Sequence, residues 1–329
     1  MTATALEITG TGWTTTFTDL GREDTERLGV PTGGAADQHS ALVANLLVGN
    51  PRGAALIESL GGGLTLVPEH DVLLAVTGAP CRVTVGDAEA DAWSPVLAKA
   101  GQQVRIRDVR LGTRTYLAVH GTLAAPTFLG SAAPDPRMGF GQRLAPGMRV
   151  LLESDFHRFR HRFSGHPVFR LPVPVPPLTP GPWVVDVVAS RGADAIPGIR
   201  QLIEESCYTV TDRSNHVGLR LSGPVLHPES ETEIVSHGVP IGALEIPHAD
   251  ELIVLGRYRS LTAGYPIVGV ASRTCLPLLG QAGPGQQLRF RWIDRAESVR
   301  RHAHWDERLR ALERAAADAL GLPAPLPAN

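Results

Sequence analysis

Residues 19–50 read DLGREDTERLGVPTGGAADQHSALVANLLVGN, and the two halves of this stretch make different physical demands. The first half is a loop punctuated by glycines that carries Arg22 and Asp37. The second half predicts a helix over residues 37–48, because Asp37 is a good N-cap residue and the Gly49-Asn50 pair is typical of a helix end. A polar loop that leads into a helix start is a common place for a binding site.

The composition indicates a folded protein with a sizeable core and many turns. Of the 329 residues, 43% are hydrophobic and 19% are charged, and the chain is long enough for two domains of ordinary size. The 35 glycines and 27 prolines favour short strands joined by turns over long helices. A net charge of -2 gives no argument for a nucleic-acid or a membrane partner.

The cysteines and the chain start predict a cytoplasmic protein. Cys81, Cys207 and Cys275 lie too far apart for a CxxC metal or redox motif, and three thiols do not make a disulfide framework. The first residues lack the pattern of a signal peptide, and no apolar run approaches the ~18 residues of a membrane span. We therefore expect a soluble chain in the cytoplasm.

Short runs bounded by Gly, Pro or Asp recur along the chain, and many alternate apolar with polar residues. This period of two predicts half-buried antiparallel strands. Three longer runs predict helices over residues 37–48, 195–205 and 305–319, the second with Pro197 in its first turn. The predicted strands cover residues 5–8, 64–66, 72–76, 81–85, 103–107, 115–119, 183–188, 208–211, 219–222, 243–246, 252–255, 267–270 and 287–292.

A proline-rich segment over residues 164–182 predicts a stiff, extended connector, because proline at this density blocks helices and central strands. The connector divides the chain into an N-terminal β domain over residues 1–163 and a C-terminal β domain over residues 183–300. Residues 301–329 are expected to form a helix and a loose tail.

Several motifs follow the opening stretch in an order that resembles the biotin-dependent carboxyltransferase family. This family includes allophanate hydrolase subunit 2, the KipA protein and a subunit of bacterial 5-oxoprolinase. The resemblance extends over roughly residues 5–292. The motifs are ESLGG at residues 58–62, YLAVHG at 116–121, LGS at 129–131, TDRSNHVGLRL at 211–221, SHGVPIGA at 236–243 and GYP at 264–266.

The resemblance implies a fold and a partner. The fold is mainly β with a few helices, arranged as two cyclophilin-like β-barrel domains in one chain. The partner is a KipI-like protein, joined in the oxoprolinase complex by a third protein. The implied activity is that of a hydrolase acting on a non-peptide C–N bond, or of a carboxyltransferase-type enzyme. ATP or carboxybiotin would act only through partner proteins, because the single lysine, Lys99, lies outside any biotin-attachment motif.

Several polar positions depart from the family pattern, including the following three. His216 stands where the pattern has Arg, His237 where it has Glu, and Glu245 where it has Gln. The first change replaces a permanent cation with a switchable one, and the last replaces an amide with a group that only accepts hydrogen bonds when ionised. A site that bound urea or a lactam through the family's groups could not bind it in the same way here.

The candidate catalytic residues are those able to move protons near neutral pH: Asp37, His216, His237 and Glu245. The candidate substrate-binding residues offer charge, amide groups or a hydroxyl: Arg22, His120, Asn215, Arg220, Arg259 and Tyr265. Two alternatives stay open. Asp37 can merely cap the helix while Arg22 braces the loop, and the histidines can be separate surface groups.

No metal site and no cysteine nucleophile are predicted. His120, His216, His237 and His248 are joined by no HxH or HxxxH spacing, which metal sites commonly show. Cys275 has no neighbouring base that would lower its pKa, so we expect a small buried apolar residue there.

Three functions compete at this point. The first is a subunit of an amide- or lactam-processing complex that works with a KipI-like partner. The second is a divergent stand-alone enzyme in which His216, His237 and Glu245 serve another small molecule. The third is a KipA-like binding or regulatory subunit without turnover of its own.

Overall fold

A computed structural model describes residues 2–156, 171–224, 226, 234–248 and 251–321, and β-strands dominate these residues. Two short 3₁₀ helices span Glu26–Leu28 and Arg273–Cys275. The α-helices are α1 Gln38–Leu47, α2 Arg191–Asp194, α3 Ile199–Glu205, α4 Leu276–Gln281 and α5 Arg295–Leu320. The strands are β1 Thr2–Gly10, β2 Thr14–Thr18, β3 Leu56–Leu60, β4 Thr65–Pro68, β5 Val72–Gly78, β6 Arg82–Val85, β7 Ala88–Ala90, β8 Pro95–Ala98, β9 Val104–Arg107, β10 Arg114–Val119, β11 Thr122–Leu123, β12 Arg149–Ser154, β13 Trp183–Ala189, β14 Tyr208–Val210, β15 Gly218–Ser222, β16 His237–Gly238, β17 Ala243–His248, β18 Glu251–Leu255, β19 Thr262–Ala263, β20 Ile267–Ala271 and β21 Gln287–Trp292.

The chain folds into two compact units whose segments alternate along the sequence. The first unit comprises Met1–Gly21, Gln38–Pro177 and Asp306–Asn329, and the second comprises Arg22–Asp37 and Leu178–Trp305. The predicted division at the proline-rich connector leaves residues 22–37 in the N-terminal domain, whereas in the structure they belong to the C-terminal barrel unit. The reason is a set of hydrogen bonds from this loop to residues 257–258, which chain order does not reveal.

The first unit is built from two antiparallel sheets. In the described part of the chain, one sheet has the strand order β11-β12-β1-β4-β9-β6-β7 and the other β2-β3-β10-β5-β8. Alternate residues of the strands, such as Leu6 and Ile8 of β1, enter one hydrophobic core. Helix α1 packs on β5 and β10, and Thr77 of β5 donates a hydrogen bond to Ser40 O of the helix.

The second unit contains a closed barrel with the strand order β13-β20-β17-β18-β15-β14-β21. Leu244 and Ile246 of β17, together with Leu252 and Val254 of β18, point into its core. The intervening Ile253 belongs to a second apolar cluster on the other face of the same strands. Strands β16 and β19 form a separate two-stranded ribbon, and residues next to them, including Val239, pack in that outer cluster. The predicted fold class, mainly β with barrel architecture, is confirmed.

The helix predictions are confirmed in part. The helix predicted over 37–48 is α1. The one predicted over 195–205 is wrong in its first turn, because α3 begins only after Gly198, whose φ of 72° lies in the left-handed region. Pro197 therefore precedes the helix. Helix α5 begins at Arg295, well before the predicted residue 305. No helix in the described residues is long and apolar enough to cross a membrane.

Candidate functional site

The glycine-rich loop over residues 22–37 lies on the turn that follows β18. Gly33 N donates to Arg257 O over 3.2 Å, and Arg257 Nε donates back to Gly33 O. Gly34 N donates to the Tyr258 hydroxyl over 3.2 Å. Gly33 has φ of 59°, and a Cβ there would lie 2.9 Å from both Arg22 Nη1 and Tyr258 Cε1. Only glycine therefore allows this close approach. We call this region the loop site.

The loop also positions Arg22 and Asp37, the two residues singled out in the opening motif. Arg22 is 1% exposed, and its backbone N–H donates to Thr32 O over 2.7 Å. Asp37 is buried and accepts a hydrogen bond of 2.8 Å from Gln281 at the end of α4. The loop is thus anchored to α4 through Asp37, as well as to the turn after β18.

Arg259 is the second buried arginine of the loop site. It is 4% exposed, and its Nε donates to Val239 O over 2.6 Å. Its Nη2 donates to Glu26 Oε1 over 2.7 Å, and the Glu26 side chain is 45% exposed. Nη1 has no hydrogen-bond partner in the described residues. Burial, helped by the positive charges of Arg273 and Arg259 and opposed by Tyr258 and Glu26, lowers the pKa of the neighbouring Arg257 to about 10.

Glu245 is a buried carboxylate on the outer face of the barrel. It pairs in register with Ile253 of β18, and Ile253 pairs with Arg220 of β15, so Glu245 and Arg220 lie in one row on the same face. Glu245 is 6% exposed, and its Oε1 has no hydrogen-bond partner among the residues described. Burial raises the pKa of Glu245, while the positive charges of His237 and Arg220 oppose that rise.

Two other predicted residues lie in this region, which we call the Glu245 site. His237 on β16 is half-buried, and its Nε2 is 3.1 Å from Tyr265 O. Tyr265 contributes that backbone oxygen, while its side chain is largely exposed. Arg220 is held by Glu251, which accepts from Arg220 Nη1 and forms an ion pair of 3.0 Å with Arg213 Nη2. Arg220 is thus bound to a protein carboxylate other than Glu245.

The structure places the remaining predicted residues elsewhere. His216 is exposed, and its ring meets Tyr258 edge-on at 5.6 Å, so it adjoins the loop site rather than His237. Asn215 is exposed and uses its side-chain oxygen to accept from Val217 N over 2.8 Å, a local turn. The side chain of His248 lies outside the described residues.

His120 lies in the first unit, so it does not share a unit with the other candidates. Its Nδ1 is 2.6 Å from Val48 O, just after α1, and its Nε2 is 2.9 Å from Asp155 Oδ1. These contacts join the end of α1 to the residue that follows β12. These two contacts explain His120 as a structural residue that links α1 to β12.

Neither Cys81 nor Cys275 is a reactive thiol, and the described residues contain no metal-binding cluster. Burial raises the pKa of Cys275, whose Sγ accepts from Asp186 N, and burial raises the pKa of Cys81 to about 11. Both stay protonated at neutral pH and are poor nucleophiles. Within the described ranges, no three His, Cys, Asp or Glu side chains are grouped in a way that could hold a metal ion.

Sequence reasoning missed several residues of the loop site. Arg257, Tyr258, Glu26 and Gln281 complete it, together with Gly33. Tyr258 and Arg257 directly precede Arg259 in the chain, so the motif around Arg259 was the available signal. Glu26 and Gln281 gave none, because their role depends on contacts with residues more than 200 positions away.

Most of the chain, including the Glu245 site and the greater part of the loop site, matches a known protein family. The profile of the family described as "Carboxyltransferase domain, subdomain A and B" matches residues 28–292. The chain belongs to this family. The match includes both Glu245 and Arg259 and confirms the resemblance found in the motifs.

Relatives and solved structures agree with this assignment. The chain is 29% identical over 303 residues to a 5-oxoprolinase subunit from Escherichia coli, covering 87% of this chain and 90% of that protein. The crystal structure of TTHA0988 is 29% identical with a TM-score of 0.73, covering 88% of this chain and 56% of that one. The Kluyveromyces lactis urea carboxylase structure shares the fold at a TM-score of 0.81 and 24% identity, covering 95% of this chain and 29% of that one.

Proposed function

We propose that this chain is part of an enzyme complex that opens a small lactam or amide, as the name 5-oxoprolinase implies for its relative. The observation that carries the proposal is Glu245, a buried carboxyl with a raised pKa beside His237 and Arg220, in a chain of the carboxyltransferase family. A carboxyl tuned in this way suits general acid–base catalysis.

The proposed role of Glu245 follows from the chemistry of amide cleavage. In hydrolysis, water adds to the carbonyl carbon and gives up a proton, and when the bond between that carbon and the ring nitrogen breaks, the nitrogen must gain a proton. A protonated Glu245 supplies it, and the resulting carboxylate is stabilised by the positive charges of Arg220 and His237. His237 is fixed for this purpose by its contact with Tyr265 O.

Partners complete the proposed system. A KipI-like protein, and in an oxoprolinase-type assembly a third protein, would supply the ATP-dependent activation of the amide. The relative from Escherichia coli is named as one subunit of 5-oxoprolinase, which supports a complex of several chains. Carboxybiotin, if the reaction is a carboxyl transfer, would likewise arrive on a partner.

A stand-alone enzyme is the second candidate. Glu245 and His237 both depart from the family pattern, and together they place an acid–base pair within this one chain. This candidate predicts that the purified single chain turns over a small molecule without any partner. Binding of a KipI-like protein without turnover would instead favour a regulatory subunit.

The test is lactam hydrolysis by the complex. The chain is co-expressed with a KipI-like protein and with the third protein of an oxoprolinase-type assembly, and loss of 5-oxoproline is followed with and without ATP. We expect ATP-dependent turnover that falls by a factor of about 100 or more in Glu245→Gln. Arg149→Gln, which removes an exposed pair with Glu69 in the first unit, serves as the matched control. Absence of turnover by the wild-type complex would overturn the proposed function.

A further inference from the structure

Protein groups satisfy only part of the hydrogen-bonding capacity of the Arg259 guanidinium. It is almost fully buried, yet one nitrogen binds a backbone carbonyl, another binds the half-exposed Glu26, and Nη1 has no partner among the described residues. An unsatisfied buried donor on a charged group destabilises the fold, so such a group calls for an explanation.

The surroundings of Arg259 favour a negative ligand. Arg257 and Arg273 lie near enough for their charges to interact, as the lowered pKa of Arg257 indicates. Arginine is suited to carboxylates because its planar fork can form two parallel hydrogen bonds to one carboxylate group. Glu26 shows this preference already, since its carboxylate is the group that Arg259 binds.

The backbone links Arg259 to the Glu245 site. Arg259 Nε is bound to Val239 O, and His237, whose charge acts on Glu245, lies two residues earlier in the same short segment. Two residues of extended chain span roughly 7 Å. The backbone positions that bind Arg259 and carry His237 are therefore separated by about the length of a small molecule with an anionic group at one end and an amide at the other.

We propose that Arg259 binds the carboxylate of a small amide or lactam substrate, and that Glu26 is an internal competitor for the same guanidinium. This deepens the proposed function and rests on it for the role of the Glu245 site. Glu26 is exposed enough to swing away, so a ligand carboxylate replaces it on Nη2 while also using Nη1. A neutral amide without a carboxylate gains nothing from Arg259.

The first experiment measures binding to the purified full-length chain by calorimetry. The probes are 5-oxoproline and 2-pyrrolidinone, which is the same lactam ring without the carboxylate. We expect 5-oxoproline to bind at least about tenfold more tightly, as for a charge-assisted hydrogen bond. Equal affinity for the two lactams, or no binding of 5-oxoproline, would overturn the proposal. Inorganic phosphate and bicarbonate are run in parallel, and tighter binding of either one would reject a substrate carboxylate as the ligand.

Two variants test the residues themselves. Arg259→Gln should weaken 5-oxoproline binding about tenfold or more and leave 2-pyrrolidinone unchanged. Arg259→Gln also removes the hydrogen bond to Val239 O and could therefore disturb the fold. Glu26→Gln is a second variant that leaves the buried arginine in place. It should tighten 5-oxoproline binding several-fold, since the competing charge is gone, and should not affect 2-pyrrolidinone. Unchanged or weaker 5-oxoproline binding in Glu26→Gln contradicts the proposal, and Arg149→Gln again serves as the control.

The binding experiment tests the Arg259 site and the turnover assay tests the proposed function, so either proposal can be rejected while the other stands. Carboxylate-selective binding without turnover of 5-oxoproline removes the proposed function but keeps the Arg259 site. Turnover by the complex with no preference between the two lactams removes the Arg259 site but keeps the proposed function.

Discussion

Glu245 and Glu251 are buried to the same extent on the barrel, at 6% exposure each, but their surroundings are opposite. Glu251 is held by Arg220 and Arg213. In the described residues, Oε1 of each carboxyl lacks a hydrogen bond, but Glu251 Oε1 lies 3.0 Å from Arg213 Nη2, whereas no ion pair of Glu245 is seen and burial raises its pKa. Removing the carboxylate of a buried ion pair leaves its arginines uncompensated, whereas removing a carboxyl whose pKa is raised by burial relieves a cost to stability.

We expect Glu245→Gln to stabilise the protein at neutral pH by about 1 kcal/mol, the usual cost of an unpaired buried acceptor. A raised folded-state pKa means that the stability contributed by protonated Glu245 is present below the unfolded pKa and is lost as the pH rises through the folded pKa. The advantage of the variant should therefore be largest at pH 7 and shrink towards acidic pH. Urea denaturation from pH 4 to pH 8 measures it.

Glu251→Gln is the matched comparison for that measurement. It leaves Arg220 without its charged partner, so we expect a loss of about 1–3 kcal/mol at neutral pH. If both variants changed stability in the same direction, the distinction between the two carboxylates would be wrong.

At the scale of elements, periodicity predicted most strands, because apolar and polar residues alternate where one face packs on a core. It failed at the start of α5. The segment from Arg295 to the predicted start at residue 305 is highly charged, and ion pairs rather than an apolar stripe hold it. Asp186 of β13 binds Arg301 of the helix and, at 2.7 Å, Arg291 of β21. Such pairings depend on strand neighbours that local sequence does not reveal.

Asp186→Asn should loosen the start of α5 and lower the free energy of unfolding by about 1–3 kcal/mol, since Asp186 is buried, Arg291 loses its ion pair and Arg301 keeps only the pair with Glu297. Hydrogen exchange should increase first in the opening turns of α5. Glu297→Gln, which breaks only pairs on the helix surface, should have a smaller effect. Equal protection of the opening turns in Asp186→Asn and wild type would argue against this role.

The loop site gives a second prediction at this scale. Gly33→Ala should weaken the docking of the loop, because its Cβ would clash with Arg22 and Tyr258 in addition to the strain of a positive φ. We expect a loss of about 2 kcal/mol or more. Gly29→Ala is the control: it has φ of 77° but no atom within 4 Å of its Cβ, so only the strain of about 1 kcal/mol applies. Thermal unfolding of the two variants, followed by circular dichroism, gives both stability losses. The difference between them is the contribution of the clash.

At the scale of the whole molecule, motif order led correctly to the family and to the fold class, because family motifs are local runs of sequence. Which residues come together in each site could not be predicted from the sequence in the same way. His216 and His237 share a chemical type and lie in neighbouring motifs, yet they belong to different clusters. Arg22 and Arg259 are far apart in the chain but both belong to the loop site, since residues 22–37 are part of the second unit.

This interleaving predicts the behaviour of a fragment. Residues 178–305 expressed alone lack Glu26, Gly33 and Gly34, so Arg257, Tyr258 and Arg259 lose their loop contacts. A peptide of residues 22–37 added in trans should raise the melting temperature of this fragment. The same peptide with Gly33→Val should not, because of the clash at that position. A fragment indifferent to both peptides would show that the loop contributes little to the second unit.

The pairing of the loop with the turn after β18 also sets an order of events during synthesis. Gly34 leaves the ribosome 224 positions ahead of Tyr258, to which it binds. At ~5–20 residues per second, the loop waits on the order of 10 s or more for its partner to be translated. During that interval its charged residues and glycines have no docking surface on the barrel, so the nascent chain is most open to proteases at this segment. The loop that identifies the family is therefore one of the first segments to be made and one of the last to reach its final place.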